Sequence, residues 1–339
     1  MLSVTAKRRV VTRTRLLQNA ASKAPNDVRE ICRRMGLDTV DLAINGGSAE
    51  KALSAVRASS RLLVASGSRE SGDGMVVQYP LGFPLDGLMR LTARAGRRVA
   101  FVHDIETLRG DTSPDLDIRN LRRYDAIISP TTAMTDWLRT LLLDGPPIYT
   151  LGMYDYLLSD DIDLPSPDSR PSNLYFVGQL GKAQFLYTLR DTAAPLVVFG
   201  PNCVPEKLPA HVTWRGVLDM ERPRLPALDG FGLLWDGESG DQLAGAFGRY
   251  LAYNAPHKLS FYIASGLPVI VPPHSAVADL VLEAGVGLTA SSVYEAAEQV
   301  RGCGEARWRD LCAATARLRS KVIEGGHTSE AVAKALGVY

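Results

Sequence analysis

The chain has 339 residues, which is long enough for two domains of ordinary size, each with its own hydrophobic core. Its 38 lysines and arginines nearly balance its 37 aspartates and glutamates, so the net charge of +1 gives no overall field that would attract nucleic acid. The four cysteines lack the paired spacing of a zinc or redox motif, and no apolar run is long enough to span a bilayer. We therefore expect a cytoplasmic protein with reduced thiols.

The N-terminal half predicts a parallel α/β sheet, because short apolar strands alternate with helices along it. Its first helix begins at about Pro25 and ends at Gly36, a typical C-terminal cap. The predicted strands are 10–11, 37–44, 61–65, 75–78, 98–102, 125–129 and 148–151, and the other predicted helices are 49–59 and 132–143.

The most informative stretch of this half is HDIETLRG, His103 to Gly110, which follows a buried strand. The carboxyl ends of strands in open α/β sheets face the ligand crevice, so titratable groups here suggest a site. A plainer interpretation is that Asp104 caps a short helix from Ile105 to Leu108, as a single Asp after a strand often does. The residues by themselves leave both interpretations open.

Composition also predicts where the halves divide. The segment 159–173 is dense in Ser, Asp and Pro and has no apolar period, which is typical of an interdomain linker. We therefore place a first lobe at 1–158, the linker at 159–173, a second lobe at 174–326 and a final helical segment at 327–339.

The second lobe repeats the strand–loop–helix pattern. A strand at 174–177 ends in Gly178 and leads through GQLGK into a predicted helix at 183–190. Such a loop lets backbone N–H groups approach phosphate, and Lys182 adds a charge there, although an ordinary tight turn has the same composition. A buried strand at 231–235 precedes an acidic turn that includes Asp236. Further strands are predicted at 195–199, 212–216, 269–271 and 286–288, and further helices at 277–284, 294–301, 307–323 and 328–336.

The segment NAPHKLSFYIASGLPVIVP, Asn254 to Pro272, predicts a polar turn, a short helix and a buried strand. Pro256 fits the first helical turn, and Gly266 ends the helix. Lys258 then lies at the opening turn, where unpaired N–H groups and the helix dipole favour an anion. A diphosphate site and a capped helix with a solvated lysine fit these residues equally well.

Taken together, these motifs resemble a known family. The collinear set is QYP (78–80), HDIETLR (103–109), YDAIIS (124–129), YDYL (154–157), YFVGQLGK (175–182), FGPN (199–202), GFGLLWDG (230–237) and the NAPHK segment. It is similar, over nearly the whole chain, to the bacterial family that contains galactofuranosyltransferases and the glucosyltransferases that extend GlcNAc on serine-rich-repeat adhesins. The resemblance implies a GT-B architecture, in which two Rossmann-like lobes face a central cleft and the last helix crosses back to the first lobe.

The resemblance also implies an activity. Members transfer a hexose, galactofuranose or glucose, from a UDP-sugar to a hydroxyl of a glycan or glycoconjugate acceptor, without a divalent metal or other cofactor. By motif, Lys258 and Asn254 would contact the diphosphate or its sugar, and Lys182 would bind phosphate. Gln179 stands where the family's loop carries Asn, which leaves the geometry of the Lys182 contact open. The other residues implied at the donor site are Tyr253, Asp236, Gly237 and Gly178.

The chemistry of transfer is compatible with these residues. Charge builds on the departing UDP, and lysines with a helix N-terminus can stabilise it as a metal does elsewhere. An inverting reaction needs a base near the acceptor hydroxyl, and Asp104, with His103 beside it, is the candidate.

Two other classes of protein compete with this interpretation. A nucleotide-sugar epimerase or dehydrogenase is disfavoured, because no G-x-G-x-x-G follows an early strand and no Tyr-x-x-x-Lys pair is present. A non-catalytic nucleotide-sugar-binding or scaffold subunit of a glycan-assembly complex would keep the fold without turnover. The intact HD, Lys182, WDG and NAPHK elements argue against it.

The expected partners are the UDP-sugar donor, an acceptor that is a glycan, a lipid-linked glycan or a glycoprotein, and further copies of the chain in a homo-oligomer. The basic N-terminus either contacts the inner face of the membrane or is simply solvated, and solvation is the simpler interpretation. Its basic residues are Lys7, Arg8, Arg9, Arg13 and Arg15.

Overall fold

The computed structural model of the protein describes residues 8–14, 20–43, 48–65, 73–82, 85–92, 96–110, 114–159, 164–220 and 229–338. Its backbone contacts divide the chain into two compact units. Unit 1 comprises Met1–Leu151 with Gly325–Tyr339, and unit 2 comprises Gly152–Glu324. Two basic residues of the N-terminus, Lys7 and Arg15, and positions 160–163 of the predicted linker lie outside the described residues. Within the described ranges, every helix is too short or too polar to cross a membrane.

Unit 1 is built on a parallel sheet whose described strands follow the order β2-β1-β3-β4-β5-β6. The chain leaves β1 for β2 on one side and then crosses to β3 on the other, so the direction of winding switches between β1 and β3. The strands are β1 (Arg8–Thr14), β2 (Asp38–Ala43), β3 (Gly74–Tyr79), β4 (Arg97–Val102), β5 (Ala126–Ser129) and β6 (Ile148–Thr150). The helices are α1 (Ala20–Arg34), α2 (Ser48–Ala65), α3 (Leu85–Leu88), α4 (Glu106–Arg109), α5 (Pro114–Leu121) and α6 (Thr132–Leu141), with a 3-10 turn at Met89–Leu91.

Unit 2 holds a second parallel sheet, whose described strands follow the order β12-β11-β10-β7-β8-β9. Here the winding switches between β7 and β10. The strands are β7 (Asn173–Val177), β8 (Leu196–Phe199), β9 (Val212–Trp214), β10 (Gly230–Leu233), β11 (Val269–Val271) and β12 (Gly287–Thr289). The helices are α7 (Gly245–Tyr250), α8 (His257–Ala264), α9 (Ala278–Glu283), α10 (Val293–Gly302) and α11 (Glu305–Glu324), with 3-10 turns at Leu180–Lys182, Gln184–Tyr187 and Pro205–Lys207. The predicted α/β class is confirmed in both units.

Helix α8 is fixed to the switch point of unit 2 by the buried side chain of Tyr262. Its hydroxyl accepts a hydrogen bond from the Val177 N–H at 2.9 Å and donates to the Leu233 carbonyl at 3.2 Å, so it bridges β7 and β10. The ring lies directly over Gly232, where a Cβ atom would come within 2.3 Å of it. A glycine is therefore required in this strand for α8 to pack so closely.

The last helix of the chain, α12 (Gly326–Leu336), belongs to unit 1. It packs against α1 and against strands β4, β5 and β6. The Arg97 guanidinium donates to the Ala335 carbonyl at 2.6 Å, which ties the end of α12 to the start of β4. The C-terminal residues thus contribute to the same core as the N-terminal sheet.

The units divide between Leu151 and Gly152, earlier than the position that composition suggests. The YDYL segment packs in unit 2, because Ser260 Oγ donates to the Tyr154 carbonyl at 2.7 Å and the Tyr156 N–H donates to the Val322 carbonyl at 3.2 Å. Further along, the Trp308 indole donates to the Ser166 carbonyl at 3.2 Å. The YDYL segment, which was predicted in the first lobe, and Ser166 of the predicted linker are therefore held in unit 2 by hydrogen bonds to their backbone atoms.

Two predicted elements are wrong. The helix at 49–59 and the strand at 61–65 form one helix, α2, in which Ala58 and Leu62 are buried at helical spacing while Val64 is exposed. The helix at 183–190 is replaced by the 3-10 turn Gln184–Tyr187. Ala183, with φ −90° and ψ 63°, is not helical and separates that turn from the preceding one.

Candidate functional site

In unit 2 the candidate site lies at the carboxyl ends of β7 and β10, where the winding of the sheet switches. Open α/β sheets bind ligands at such a point, because the loops leave in opposite directions and open a crevice. Gly178 directly follows β7, and Asp236 and Gly237 lie three and four residues beyond the end of β10. The sequence predicted that these residues belong to one site, and the strand order supplies the geometric basis.

Lys258 connects three elements at this point. It lies in the first turn of α8, and its ammonium donates to the Trp235 carbonyl and to Asp236 Oδ2, each at 2.8 Å. The ammonium also lies 4.6 Å from the centre of the Phe176 ring, within the range of a cation–π contact. Only 16% of the lysine side chain is exposed. A full positive charge is therefore held, largely buried, between β7, β10 and α8.

The turn before α8 is shaped by its backbone. The N–H groups of Tyr253 and Asn254 both donate to the Tyr250 carbonyl, at 3.0 and 3.1 Å. Pro256 is the N-cap of α8 rather than a first-turn residue, with φ −64° and ψ 131°. Asn254 Oδ1 is buried and accepts no hydrogen bond from the described residues. A buried acceptor without a donor is costly, so Asn254 is a candidate to receive a ligand's O–H or N–H group.

The aromatic rings of the YDYL segment support the start of α8. The His257 imidazole is stacked on Tyr156 with ring centres 5.0 Å apart, and the edge of Tyr154 approaches it at 6.2 Å. The Tyr156 hydroxyl donates to the Met220 carbonyl at 2.5 Å. The orientation of the first turn, and with it the position of Lys258, thus depends on residues about 100 positions earlier in the chain.

The loop after β7 does not lead into an α-helix. Lys182 is exposed and lies on the 3-10 turn Leu180–Lys182, so the expectation of a second helix N-terminus here is wrong. The loop is instead held to the chain after β8, because the Gly178 N–H donates to the Phe199 carbonyl at 3.0 Å and the Leu180 N–H donates to the Pro201 carbonyl at 3.1 Å. Any phosphate contact by Lys182 would therefore come from its side chain on a rigid turn.

Gly200 makes this close pairing of loops possible. Its φ of +147° is one that other L-residues rarely adopt, and a Cβ atom there would lie 1.8 Å from the Gly178 carbonyl oxygen. We expect Gly200→Ala to lower the free energy of unfolding by roughly 2–4 kcal/mol, because backbone strain and a steric clash act together. Urea unfolding curves measure this loss.

A matched control for this variant lies in the same loop cluster. Gly216 accepts the Gly200 N–H hydrogen bond at 2.8 Å and also has a positive φ of +88°, but a Cβ atom there would meet nothing within 4 Å. Gly216→Ala should therefore cost only the backbone term of roughly 1–2 kcal/mol. Equal losses for the two variants would contradict the close approach of Gly200 to Gly178.

The WDG turn is held in a single conformation. The Trp235 indole N–H donates to the Ser239 carbonyl at 2.9 Å, and Gly237, with φ +113°, lies against the Ala244 backbone. This arrangement leaves the Asp236 carboxylate 29% exposed and paired with Lys258. Within the described residues, no three His, Cys, Asp or Glu side chains come together in a way that would hold a metal ion.

In unit 1 the predicted pair follows β4. The His103 N–H donates to the Tyr79 carbonyl at 2.9 Å, which extends the pairing of β3 and β4 by one step. Asp104 Oδ2 accepts from Arg109 at 3.2 Å, with 40% of the aspartate side chain and 36% of the arginine side chain exposed. The N-cap of α4 is Ile105, whose side chain makes no capping hydrogen bond, so Asp104 lies one position before the cap that the plainer interpretation assigned to it.

A buried carboxylate that the sequence analysis did not find anchors this stretch. Asp117 accepts from the Tyr79 hydroxyl at 2.5 Å, and its other oxygen accepts from the Thr107 N–H at 3.0 Å and from the Thr107 hydroxyl at 2.6 Å. Burial, and then the charge of Asp117, raise the pKa of Tyr79 well above its usual value. Because Asp117 lies inside helix α5 rather than at a strand end, no local signal in the sequence marked it.

Comparison with known proteins finds matches over nearly the whole chain. Residues 8–153 match the family model described as Glucosyltransferase 3-like, N-terminal domain, and residues 174–335 match the corresponding C-terminal domain. The beta-1,6-galactofuranosyltransferase WbbI of Escherichia coli strain K12 is 27% identical over 315 residues, covering 91% of this chain and 92% of that protein. Glucosyltransferase 3 of Streptococcus gordonii is 26% identical over 306 residues, covering 87% of each.

Among solved structures, the sucrose-phosphate synthase of Thermosynechococcus elongatus is similar in fold. It superposes with a TM-score of 0.63 over 97% of this chain and 98% of that one, at 11% sequence identity. At this identity the likeness concerns the fold alone.

Proposed function

The chain belongs to the glucosyltransferase 3-like family of glycosyltransferases with the GT-B fold, and on this premise we propose that it transfers a hexose from a UDP-sugar to a hydroxyl of a glycan or glycoconjugate acceptor. The hexose is galactofuranose or glucose, the sugars of the activities that name the two relatives. The observation that carries the proposal is the largely buried ammonium of Lys258 at the switch point of unit 2.

The diphosphate is proposed to bind at this ammonium. A lysine has three N–H donors, and two of them are taken by the Trp235 carbonyl and Asp236, so one remains for a phosphate oxygen. The first turn of α8 adds backbone N–H groups and the positive end of the helix dipole. Asp236 neutralises the lysine while no ligand is present, which offsets the desolvation cost of a buried cation. Gly178 and Gly237 flank this position, and Lys182 is proposed as a second phosphate contact.

Asn254 is better suited to the sugar than to the diphosphate. Its buried Oδ1 atom can only accept a hydrogen bond, and phosphate oxygens at neutral pH are acceptors as well. A hydroxyl of the transferred sugar or of the ribose has the missing donor. We therefore propose that Asn254 accepts a hydrogen bond from a hydroxyl of the donor substrate and that Tyr253, its neighbour in the turn, lines the same site.

The transfer step needs charge stabilisation at the donor and a base at the acceptor. As the sugar–phosphate bond breaks, negative charge develops on UDP, where Lys258 and the start of α8 stabilise it. On unit 1, Asp104 with His103 beside it is proposed to take the proton from the acceptor hydroxyl. The acceptor classes proposed are a glycan, a lipid-linked glycan and a glycoprotein, and the enzyme is proposed to act as a homo-oligomer.

We propose that the reaction needs no divalent metal, because a lysine and a helix N-terminus supply the positive charge. Turnover should then be unchanged after treatment with EDTA and unchanged by added Mg²⁺ or Mn²⁺. UDP release in the presence of acceptor measures it. A loss of turnover in EDTA that added metal restores would contradict this mechanism.

A donor screen with the purified chain tests the activity itself. UDP-galactofuranose, UDP-glucose, UDP-galactopyranose and UDP-GlcNAc are offered separately with glycan acceptors, and transfer is followed by mass spectrometry of the product. We expect one of the first two donors to be used in preference to the others. Tight UDP binding without transfer from any donor would instead favour a non-catalytic nucleotide-sugar-binding subunit.

A further inference from the structure

Gln78 connects the two sides of the switch point in unit 1. It is the second-last residue of β3, and its side chain is only 4% exposed. Its amide nitrogen donates to the Thr12 hydroxyl of β1 at 2.7 Å and to the Pro25 carbonyl of α1 at 3.0 Å. Its amide oxygen lies 2.7 Å from Nε2 of His103. All four groups are therefore parts of one hydrogen-bond network around the buried side chain of Gln78.

The chemistry of these groups allows one arrangement of hydrogens. The Pro25 carbonyl can only accept, so the nitrogen of the Gln78 amide must face it and the oxygen must face His103. An amide oxygen can only accept as well, so Nε2 of His103 must carry a proton. In the neutral imidazole the basic lone pair is then on Nδ1.

We propose that Gln78 is a positioning residue that fixes His103 in the Nε2–H tautomer and so assigns the proton-accepting role to Nδ1. The catalytic importance of this assignment rests on the proposed function, in which His103 lies beside the base of the acceptor half. The tautomer itself does not depend on that function.

The network explains why a glutamine suits this position. At position 78, a side chain with only donors would turn the His103 lone pair toward β3. An apolar side chain there would leave the Thr12 hydroxyl and the Pro25 carbonyl without their buried partner. Glutamine supplies donors on one side and an acceptor on the other. Gln78 cannot take up a proton under physiological conditions, and Nε2 of His103 already carries one. Any further proton that His103 gains must therefore be on Nδ1.

The tautomer is measurable in the full chain by the ¹⁵N chemical shifts of the histidine rings, with the His103 signals assigned from a His103→Gln sample. The wild-type protein should show a protonated Nε2 and an unprotonated Nδ1 at pH values where the ring is neutral. In Gln78→Met, which keeps the side chain's length, the two shifts should move toward each other as both tautomers become populated. Turnover should fall by roughly tenfold with an unchanged donor KM, a part of the roughly 10²–10⁴-fold that acid–base catalysis supplies.

Thr12→Val is the matched control, because it removes one partner of the same buried amide. Thr12 is 1% exposed, so the packing cost resembles that of the Gln78 variant, but the Pro25 carbonyl still orients the amide. The His103 shifts should therefore stay at their wild-type values.

Three results would overturn the assignment: a wild-type His103 protonated on Nδ1, unchanged shifts in Gln78→Met, or equal shift changes in Thr12→Val and Gln78→Met. A chain that shows the expected shifts but transfers no sugar would leave the tautomer assignment standing and would contradict the proposed function instead.

Discussion

Asp104→Asn should lower turnover by roughly 10²–10⁴-fold while leaving UDP affinity unchanged. Asparagine has the shape of aspartate and can still accept the hydrogen bond from Arg109, but it cannot take a proton from the acceptor hydroxyl. Because the residues proposed to bind UDP all lie in unit 2, calorimetric titration with UDP should give the wild-type dissociation constant. Steady-state rates with saturating donor and acceptor measure the loss.

Asp136→Asn is the control for removing a carboxylate from an arginine pair in the same unit. Asp136 accepts from Arg139 at 3.0 Å, and both side chains are more than 60% exposed, so the pair contributes little. Its replacement should leave turnover at the wild-type level. If Asp104→Asn behaved in the same way, Asp104 would not be the base, and a collapse of turnover in His103→Gln would transfer that role to His103.

Lys258→Ala should weaken UDP binding by about 1.5–3 kcal/mol, or roughly 10- to 150-fold in Kd, the value of a hydrogen bond to a charged group. The effect should be at the upper end, because the Lys258 side chain is only 16% exposed and solvent screens its charge poorly. Calorimetry with UDP measures it. Lys334→Ala, which removes an exposed lysine of unit 1, should leave the affinity unchanged.

Part of this loss is expected to come from Asp236 rather than from the missing contact. Once Lys258 is removed, the Asp236 carboxylate remains beside the diphosphate and repels it. The double variant Lys258→Ala/Asp236→Asn should therefore bind UDP more tightly than Lys258→Ala alone, and the difference gives the coupling between the two residues. Wild-type UDP affinity in Lys258→Ala would show that the diphosphate binds elsewhere.

The sequence predicted the family, the α/β class and the location of Lys258, because each depends on local or collinear signals. Pro256 and Gly266 bracket α8 within a dozen residues, so the lysine could be placed at its first turn without knowledge of the fold. The partners of Lys258 could not be predicted in the same way. Asp236, in the turn after β10, and Phe176, in β7, lie 22 and 82 positions away in the chain, and only the strand order β10-β7 brings them together.

The errors have an equally physical origin. The run from Arg61 to Ala65 is apolar enough for a strand, but Leu62 follows Ala58 at the spacing of a helix, and the run forms part of α2. A short apolar run does not by itself decide between a strand and a helix. The loop after Gly178 was assigned a helix because glycine and lysine precede an apolar stretch. Its backbone instead pairs with Phe199, the last residue of β8, and with Pro201 just beyond that strand, an interaction that no local pattern reveals.

The role of Gln78 lies between these cases. The QYP motif was recognised, yet nothing in the motif distinguishes a buried glutamine that orients a histidine from one that simply ends a strand. That distinction requires the Pro25 carbonyl and His103, which reach the amide from α1 and from the end of β4.

The hydroxyl of Tyr262 has a consequence for how donor preference can change. β7 and β10 are paired as far as Tyr175 and Gly232, and the Tyr262 hydroxyl bridges the Val177 N–H and the Leu233 carbonyl where that pairing ends. A residue at 262 without this hydroxyl would remove the bridge at the carboxyl ends of the two strands. The strand ends at the proposed donor site can therefore be altered from α8, with every residue proposed to bind UDP left in place.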